Sequence, residues 1–199
     1  CKAKLNLSKY SIYDQSLYID GDSLCLGNLD SVFAELKGNK FKSHYIPNYT
    51  QWTDDDTFFQ FFKIKNEVTI NSSWIYFENN KVFTQAQKYF DKGFDVEKVT
   101  PKWGDTLPDE LFFNAAITKL KVDCKTELPV MYFDQKGNNM DVSGLSKYSF
   151  ITYFGNKNST SLLLQQFYDR EMFRICEHYN TEHKFKMHEI MIKKLVNNK

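Results

Sequence analysis

The chain has 199 residues, 42% of them hydrophobic and 17% aromatic; that is enough to bury a core within one domain and too apolar for global disorder. Its formal net charge of +1 creates no field that would recruit nucleic acid, and no run approaches the roughly 18 apolar residues of a membrane span. The four cysteines, Cys1, Cys25, Cys124 and Cys176, show no CxxC or Cys/His ligand spacing. This argues against a zinc site and for free thiols in a cytoplasmic protein.

The sequence opens at Cys1 in helix-like residues that run from Lys2 to Ser8, without Met or a signal peptide, which points to a segment upstream. "SIYDQSLYIDGD" (11–22) reads as a turn followed by a buried strand. Asp30 caps a short helix through Leu36, closed by Gly38, and "KFKSHYIPNY" (40–49) is a strand that ends at Pro47. "TDDDTFFQFFKI" (53–64) opens a helix with Thr53 as N-cap and its aspartates in the first turn.

"EVTINSSWIYFE" (67–78) is a strand with a polar step at Asn71-Ser72-Ser73. "KVFTQAQKYFDKG" (81–93) is an amphipathic helix stopped by Gly93, and a further helix starts in "WGDTLPDELFFNAAITKL" (103–120), with Pro108 in its first turn. "LPVMYF" and "YSFITYF" follow as short strands, and 161–199 reads as helical, with its terminal cations on a solvated helix face. Strands alternating with helices give an α/β class, and 1–199 shows no repeat or long linker that would divide it.

One stretch carries chemistry. Strand alternation puts Asp20 and Asp22 on the same face at the end of an apolar strand, with Gly21 allowing close approach. Carboxylates so placed suit a hard divalent cation such as Mg²⁺ or Mn²⁺ together with phosphate oxygens; the same pattern also suits a plain turn. An EF-hand is excluded, because its fifth and sixth positions fall on Leu24 and Cys25. The strand and DxD also resemble haloacid-dehalogenase-type phosphatases, with Asp20 as nucleophile, Asp22 as general acid and "GDTLPD" (104–109) as a later motif. Against this, Leu24 stands where Thr or Val is usual, and "DVEKVTPKW" is charged and broken by Pro101 where a hydrophobic strand is expected.

Read together, "AKLNLSKYSIYDQSLYIDGDSLCLGNLDSVF" (3–33) resembles the central segment of GT-A glycosyltransferases, most like the retaining family-8 type and related phage and bacterial sequences. "SIYD" matches that family's S-P-Y-D turn with Ile12 for Pro, and Leu17 to Leu24 its strand and DxD. "INSSWIYFE" (70–78) resembles its F-N-S-G strand with Ser73 for Gly, and "LPDELFFNAAI" (107–117) its D-Q-x-x-x-N helix start with Asp109-Glu110 for Asp-Gln. The resemblance implies a GT-A-like mixed sheet flanked by helices, and metal-dependent sugar transfer from a UDP- or GDP-linked donor to a glycan, lipid or protein acceptor.

In that reading Asp20 and Asp22 hold Mn²⁺ or Mg²⁺, which stabilises the leaving diphosphate as a Lewis acid, and Asp20 also lies near the ribose. Lys4 reaches the diphosphate, or is an ordinary exposed lysine. Asn71, Asp109 and Glu110 line the sugar subsite; a buried hydrogen bond for Asn71 and a helix-start role for Asp109 are the plainer expectations.

Two departures stand out. The family's late H-x-x-G-x-x-K segment has "TYFGNKNS" (152–159) as its nearest match, with Thr152 for the ligating His and Lys157 one residue early for the phosphate lysine. The βαβ region that precedes the DxD and forms the base pocket is missing or shortened, which implies a fragment of a longer catalytic domain. These departures also leave room for a catalytically inert binding or structural protein derived from such an enzyme.

Overall fold

The structure, a computed structural model, describes residues 2–21, 23–46, 55–95, 107–132 and 147–152, together with Arg170 and Arg174. Two compact units emerge, one comprising Cys1–Asp20 and Asp30–Leu128, the other Gly21–Leu29 and Pro129–Lys199.

The first unit begins with two single-turn helices, α1 (Lys2–Leu5) and α2 (Leu7–Tyr10), then β1 (Ser16–Ile19). After α3 (Asp30–Leu36) come β3 (Phe41–Tyr45), α4 (Asp55–Phe61), β4 (Ile70–Phe77), α5 (Lys81–Asp91) and α6 (Asp109–Leu120). Its sheet is antiparallel in the order β1-β4-β3. The sequence suggests a buried β1, but every residue of that strand is half-buried. Among the described residues β1 lies at the edge of its sheet, with only one side of its ladder paired. β4 is central, and all eight of its residues are buried, the polar Asn71-Ser72-Ser73 among them.

α5 and α6 pack against one another, and α6 against β4. Their apolar faces close a core of Leu5, Phe41, Phe58, Ile70, Ile75, Phe83, Phe113 and neighbours. Phe58, wholly buried, has its ring centroid within 5.4 Å of those of Phe59, Phe62, Phe94 and Phe112. Such edge-on pairs add about 0.5–1.5 kcal/mol each beyond the area they bury.

Local stops behave as their chemistry demands. Gly38 and Gly93 follow helices with φ of +88° and +67°, the left-handed region that a Cβ makes costly. α6 ends instead on Lys121 at φ 52°, whose amide reaches back to Ile117 O and Thr118 O. Pro108 is the N-cap of α6 rather than part of its first turn. Asn114 lies buried in the middle of α6, and its Oδ1 accepts the Ile70 amide at 2.9 Å, tying the helix to the start of β4.

In the second unit β2 (Ser23–Cys25) pairs antiparallel with β6 (Phe150–Thr152), and β6 pairs parallel with β5 (Met131–Tyr132). Among its described residues, Leu24, Val130, Met131, Phe150 and Ile151 are buried and apolar. Thr53, the first half of "GDTLPD" (104–106), Lys157 and nearly all of 161–199 lie outside the described residues. Among the described residues no helix is long and apolar enough to cross a membrane.

Candidate functional site

The site grows from a fault in the central ladder. β3 pairs Ser43 with Ile75 but His44 with Asn71, so the register shifts between these neighbours and β4 gains length opposite β3. Such a bulge re-aims side chains. Ser43 Oγ spans it, 3.0 Å from Asn71 O and 2.9 Å from Trp74 O. Asn71 Oδ1 accepts the Ser73 amide at 2.9 Å, so Asn71 takes the buried hydrogen-bonding role that was one of its two expectations. On the other edge, Asp20 N donates to Ser73 O at 2.8 Å, which fixes Asp20 beside the same segment of β4.

Around Ser72 four parts of the chain converge. Lys4 Nζ of α1 lies 3.0 Å from Asp20 Oδ1 after β1, and 3.4 Å from Asp109 Oδ2 in the first turn of α6. It also reaches Ser72 Oγ at 3.1 Å and stands 5.2 Å from the centroid of the Tyr18 ring. Ser72 Oγ is 2.7 Å from Asp109 Oδ2 and 2.9 Å from Glu110 Oε1. The Tyr18 hydroxyl donates to Asp20 Oδ1 at 2.6 Å. Lys4, Asp20, Asp109 and Glu110, which the sequence placed at one site, therefore share one polar cluster. Lys4 is not an ordinary exposed lysine, since its side chain is 16% exposed.

The electrostatics follow from that burial. Desolvation alone would lower the Lys4 pKa, but the Asp109 and Asp20 charges outweigh it and hold the ammonium firmly charged. Burial and the bond to Asp20 raise the Tyr18 pKa, so this hydroxyl stays a donor. Glu110 is pushed up to about 7, first by burial and then by the Asp109 charge beside it. Asp109 and Glu110 also sit at the N-terminal end of α6, whose N-cap Pro108 supplies no side-chain bond, so the helix dipole favours negative charge there. Asp109 thus takes the helix-start role that was one of its two expectations.

Asp22 and Lys157 lie outside the described residues, and Thr152 ends β6. A Cβ on Gly21 would meet no heavy atom of the described residues within 4 Å, so nothing among them requires glycine there for close approach. Among the described residues no group of three or more His, Cys, Asp or Glu is placed to hold a metal. Asp20 does suit one as a single ligand: it is partly exposed, and both its contacts fall on Oδ1. Two buried polar atoms in the bulged strand, Ser73 Oγ and Trp74 Nε1, have no hydrogen-bond partner among the described residues, which leaves hydrogen-bonding capacity unmet among them.

Sequence reasoning missed three residues. Tyr18 stands two before Asp20, and strand alternation puts both on one face, so that signal was available. Ser72, the hub, was passed over as part of a polar step. His44 comes opposite Asn71 only through the bulge, and burial lowers its pKa.

No family model matches the chain, and no curated protein matches it. Two solved structures are similar. One is the galactosyltransferase LgtC in complex with donor and acceptor sugar analogues, with a TM-score of 0.49 and 14% identity, covering 83% of this chain and 63% of that one. The other is an active-site mutant of LgtC, with a TM-score of 0.51 and 14% identity, covering 83% and 64%. The chain thus spans less than two thirds of the length of the structures it resembles. The likeness establishes the fold: a mixed α/β architecture of GT-A type, in agreement with the sequence.

Proposed function

We propose that the chain forms the sugar- and diphosphate-binding part of a glycosyltransferase that uses a nucleotide-sugar donor. The observation that carries this reading is the meeting of Lys4, Asp20, Asp109 and Glu110, from three separate segments, around Ser72 of the bulged central strand. A sugar is a neutral polyol and a nucleoside diphosphate an anion. The cluster offers carboxyl groups for hydroxyls, and one firmly charged ammonium for phosphate oxygens. The LgtC-like fold supports the same reading.

Asp20 and Asp22 are the residues we assign to a divalent cation, Mn²⁺ or Mg²⁺, whose contribution when bound is to stabilise negative charge on the departing diphosphate. Lys4 does part of this work as a fixed cation. It is pre-positioned by Asp20 and Asp109, so little reorganisation is needed when a phosphate arrives. Asp109 and Glu110 bind donor-sugar hydroxyls, Asn71 shapes the segment that carries Ser72, and Lys157 is assigned to the diphosphate.

Calorimetric titration with UDP and with GDP, with and without Mn²⁺, tests this reading. The expected result is nucleotide binding that needs the metal and disappears in Asp22→Ala. Turnover of a generic phosphomonoester that is lost in Asp20→Asn would overturn it in favour of a phosphatase. Absence of both signals would overturn it in favour of an inert binding protein.

A further inference from the structure

Ser72 Oγ faces three partners and has one proton. Lys4 can only donate to it, at 3.1 Å, which occupies one of its two lone pairs. The hydroxyl proton is left for one of two carboxyl groups, Asp109 Oδ2 at 2.7 Å or Glu110 Oε1 at 2.9 Å. Once one of them accepts it, the other meets the remaining lone pair, and a carboxylate facing a lone pair is repelled. The contact becomes a hydrogen bond only if that second group carries a proton and donates.

The charges around the pair decide which group that is. Lys4 Nζ lies 3.4 Å from Asp109 Oδ2 and makes its ion pairs with Asp109 and Asp20, not with Glu110. Asp109 is also the nearer to Ser72. The charge therefore belongs on Asp109 and the proton on Glu110.

We infer that Glu110 works as a carboxylic acid rather than a carboxylate, donating to Ser72 Oγ and forming with Asp109 a pair that holds a single proton. This deepens the proposed function and rests on it for its consequence. Protonated, Glu110 is neutral and close in shape to the glutamine that stands at this place in the resembling pattern. With Lys4 counted once positive and Asp20 and Asp109 once negative each, the cluster then carries a charge of −1 instead of −2, and repels an incoming diphosphate less.

Other groups around Glu110 do not change the assignment. Burial and Asp109 raise its pKa to about 7; its own backbone amide and Lys4 pull the other way without reversing the shift. Ser72 also pulls down: its hydroxyl proton lies toward Asp109, but its backbone amide reaches Glu110 Oε1, at the long distance of 3.4 Å. Tyr18 of β1 and Asp20 just after it face Lys4, Asp20 at 3.0 Å and the Tyr18 ring centroid at 5.2 Å. On α5, which packs against α6, the charged residues Lys81, Lys88 and Asp91 are solvent-exposed. On α4, the side chains of Asp55 and Asp56 lie outside the described residues.

The test uses the ligand-free protein, so it does not depend on donor binding. The Glu110 carboxyl is followed by carbon NMR or infrared difference titration from pH 3 to 9, and assigned by its loss in Glu110→Gln. We expect a carboxyl that titrates about two pH units above an ordinary glutamate, and a fall of that value in Ser72→Ala, where its acceptor is gone. A Glu110 midpoint between 4 and 5 overturns the inference, and so does a rise in Ser72→Ala, which would make Ser72 a donor to a carboxylate. If nucleotide fails to bind at every pH while Glu110 still titrates near neutrality, the proposed function fails and the one-proton pair stands.

Discussion

The two ends of β4 hold carboxyl groups in opposite states. Glu78, just beyond its last residue, is half-buried and collects donors: the Tyr76 hydroxyl at 2.6 Å, the Gly38 amide at 2.6 Å and Gln15 Nε2 at 3.3 Å. Burial is the largest single influence and works against ionisation, but these bonds and the Lys37 charge together outweigh it and its pKa is lowered. Glu110, against the start of the strand, is half-buried beside another carboxylate with fewer donors, and desolvation and the Asp109 charge raise its pKa. Donor supply and neighbouring charge, not residue type, set the difference. The end of β4 with surplus donors closes a turn; the end with surplus negative charge keeps a proton and a lysine in readiness, which is how groups that handle ligands are commonly arranged.

Changes to the charged residues break or sharpen this contrast. Lys4→Met has the largest expected effect, because it leaves Asp20 and Asp109 partly buried without their cation. We expect a loss of about 2 kcal/mol in urea denaturation, below the 3–5 kcal/mol of a fully buried pair because Asp20 is partly exposed. Donor-dependent turnover should fall by roughly 10²-fold or more, as when one pre-positioned charge-stabilising group is removed.

Next is the pH dependence of stability. A raised folded pKa means that the folded state holds the extra proton between the ordinary glutamate value near 4.5 and about 7. Glu110's contribution is therefore fully present below about 4.5 and lost as pH rises through 7, with a slope of at most about 1.4 kcal/mol per pH unit. Glu110→Gln should flatten the stability curve over that window; an unchanged slope there would contradict the protonated state. Glu78 behaves in the opposite sense: its contribution is present above its unfolded value and lost as pH falls through its lowered folded one. The smallest effect belongs to Glu78→Gln, which should cost under about 1 kcal/mol at neutral pH, since the group is solvent-screened, and should lessen the loss of stability only on the acid side.

The parts of the fold that the sequence revealed were those with local causes. α5 has an apolar stripe with Gly93 beyond its end. β4 has a run of β-formers, and "LPDELFF" announces the start of α6. Asp20, Lys4 and Asp109 were legible as candidates because the residue types and their order resemble a known pattern. Ser72 was not, since a serine in a polar step says nothing until the strand's register is known. The half-buried state of β1 was missed for the same reason: its apolar residues look the same at a sheet's edge as at its centre.

By itself, then, the sequence determined the element types, their stops and a set of charged residues scattered over the 107 positions from Lys4 to Glu110. Only the tertiary structure decided that β4 bulges opposite Ser43 and His44, that Lys4 comes back to Ser72, and that one serine proton lies between two carboxyl groups. The reason is physical. Helix period and turn chemistry act between neighbours in the chain, whereas a pKa and a hydrogen-bond partner depend on which distant groups burial brings within about 3 Å.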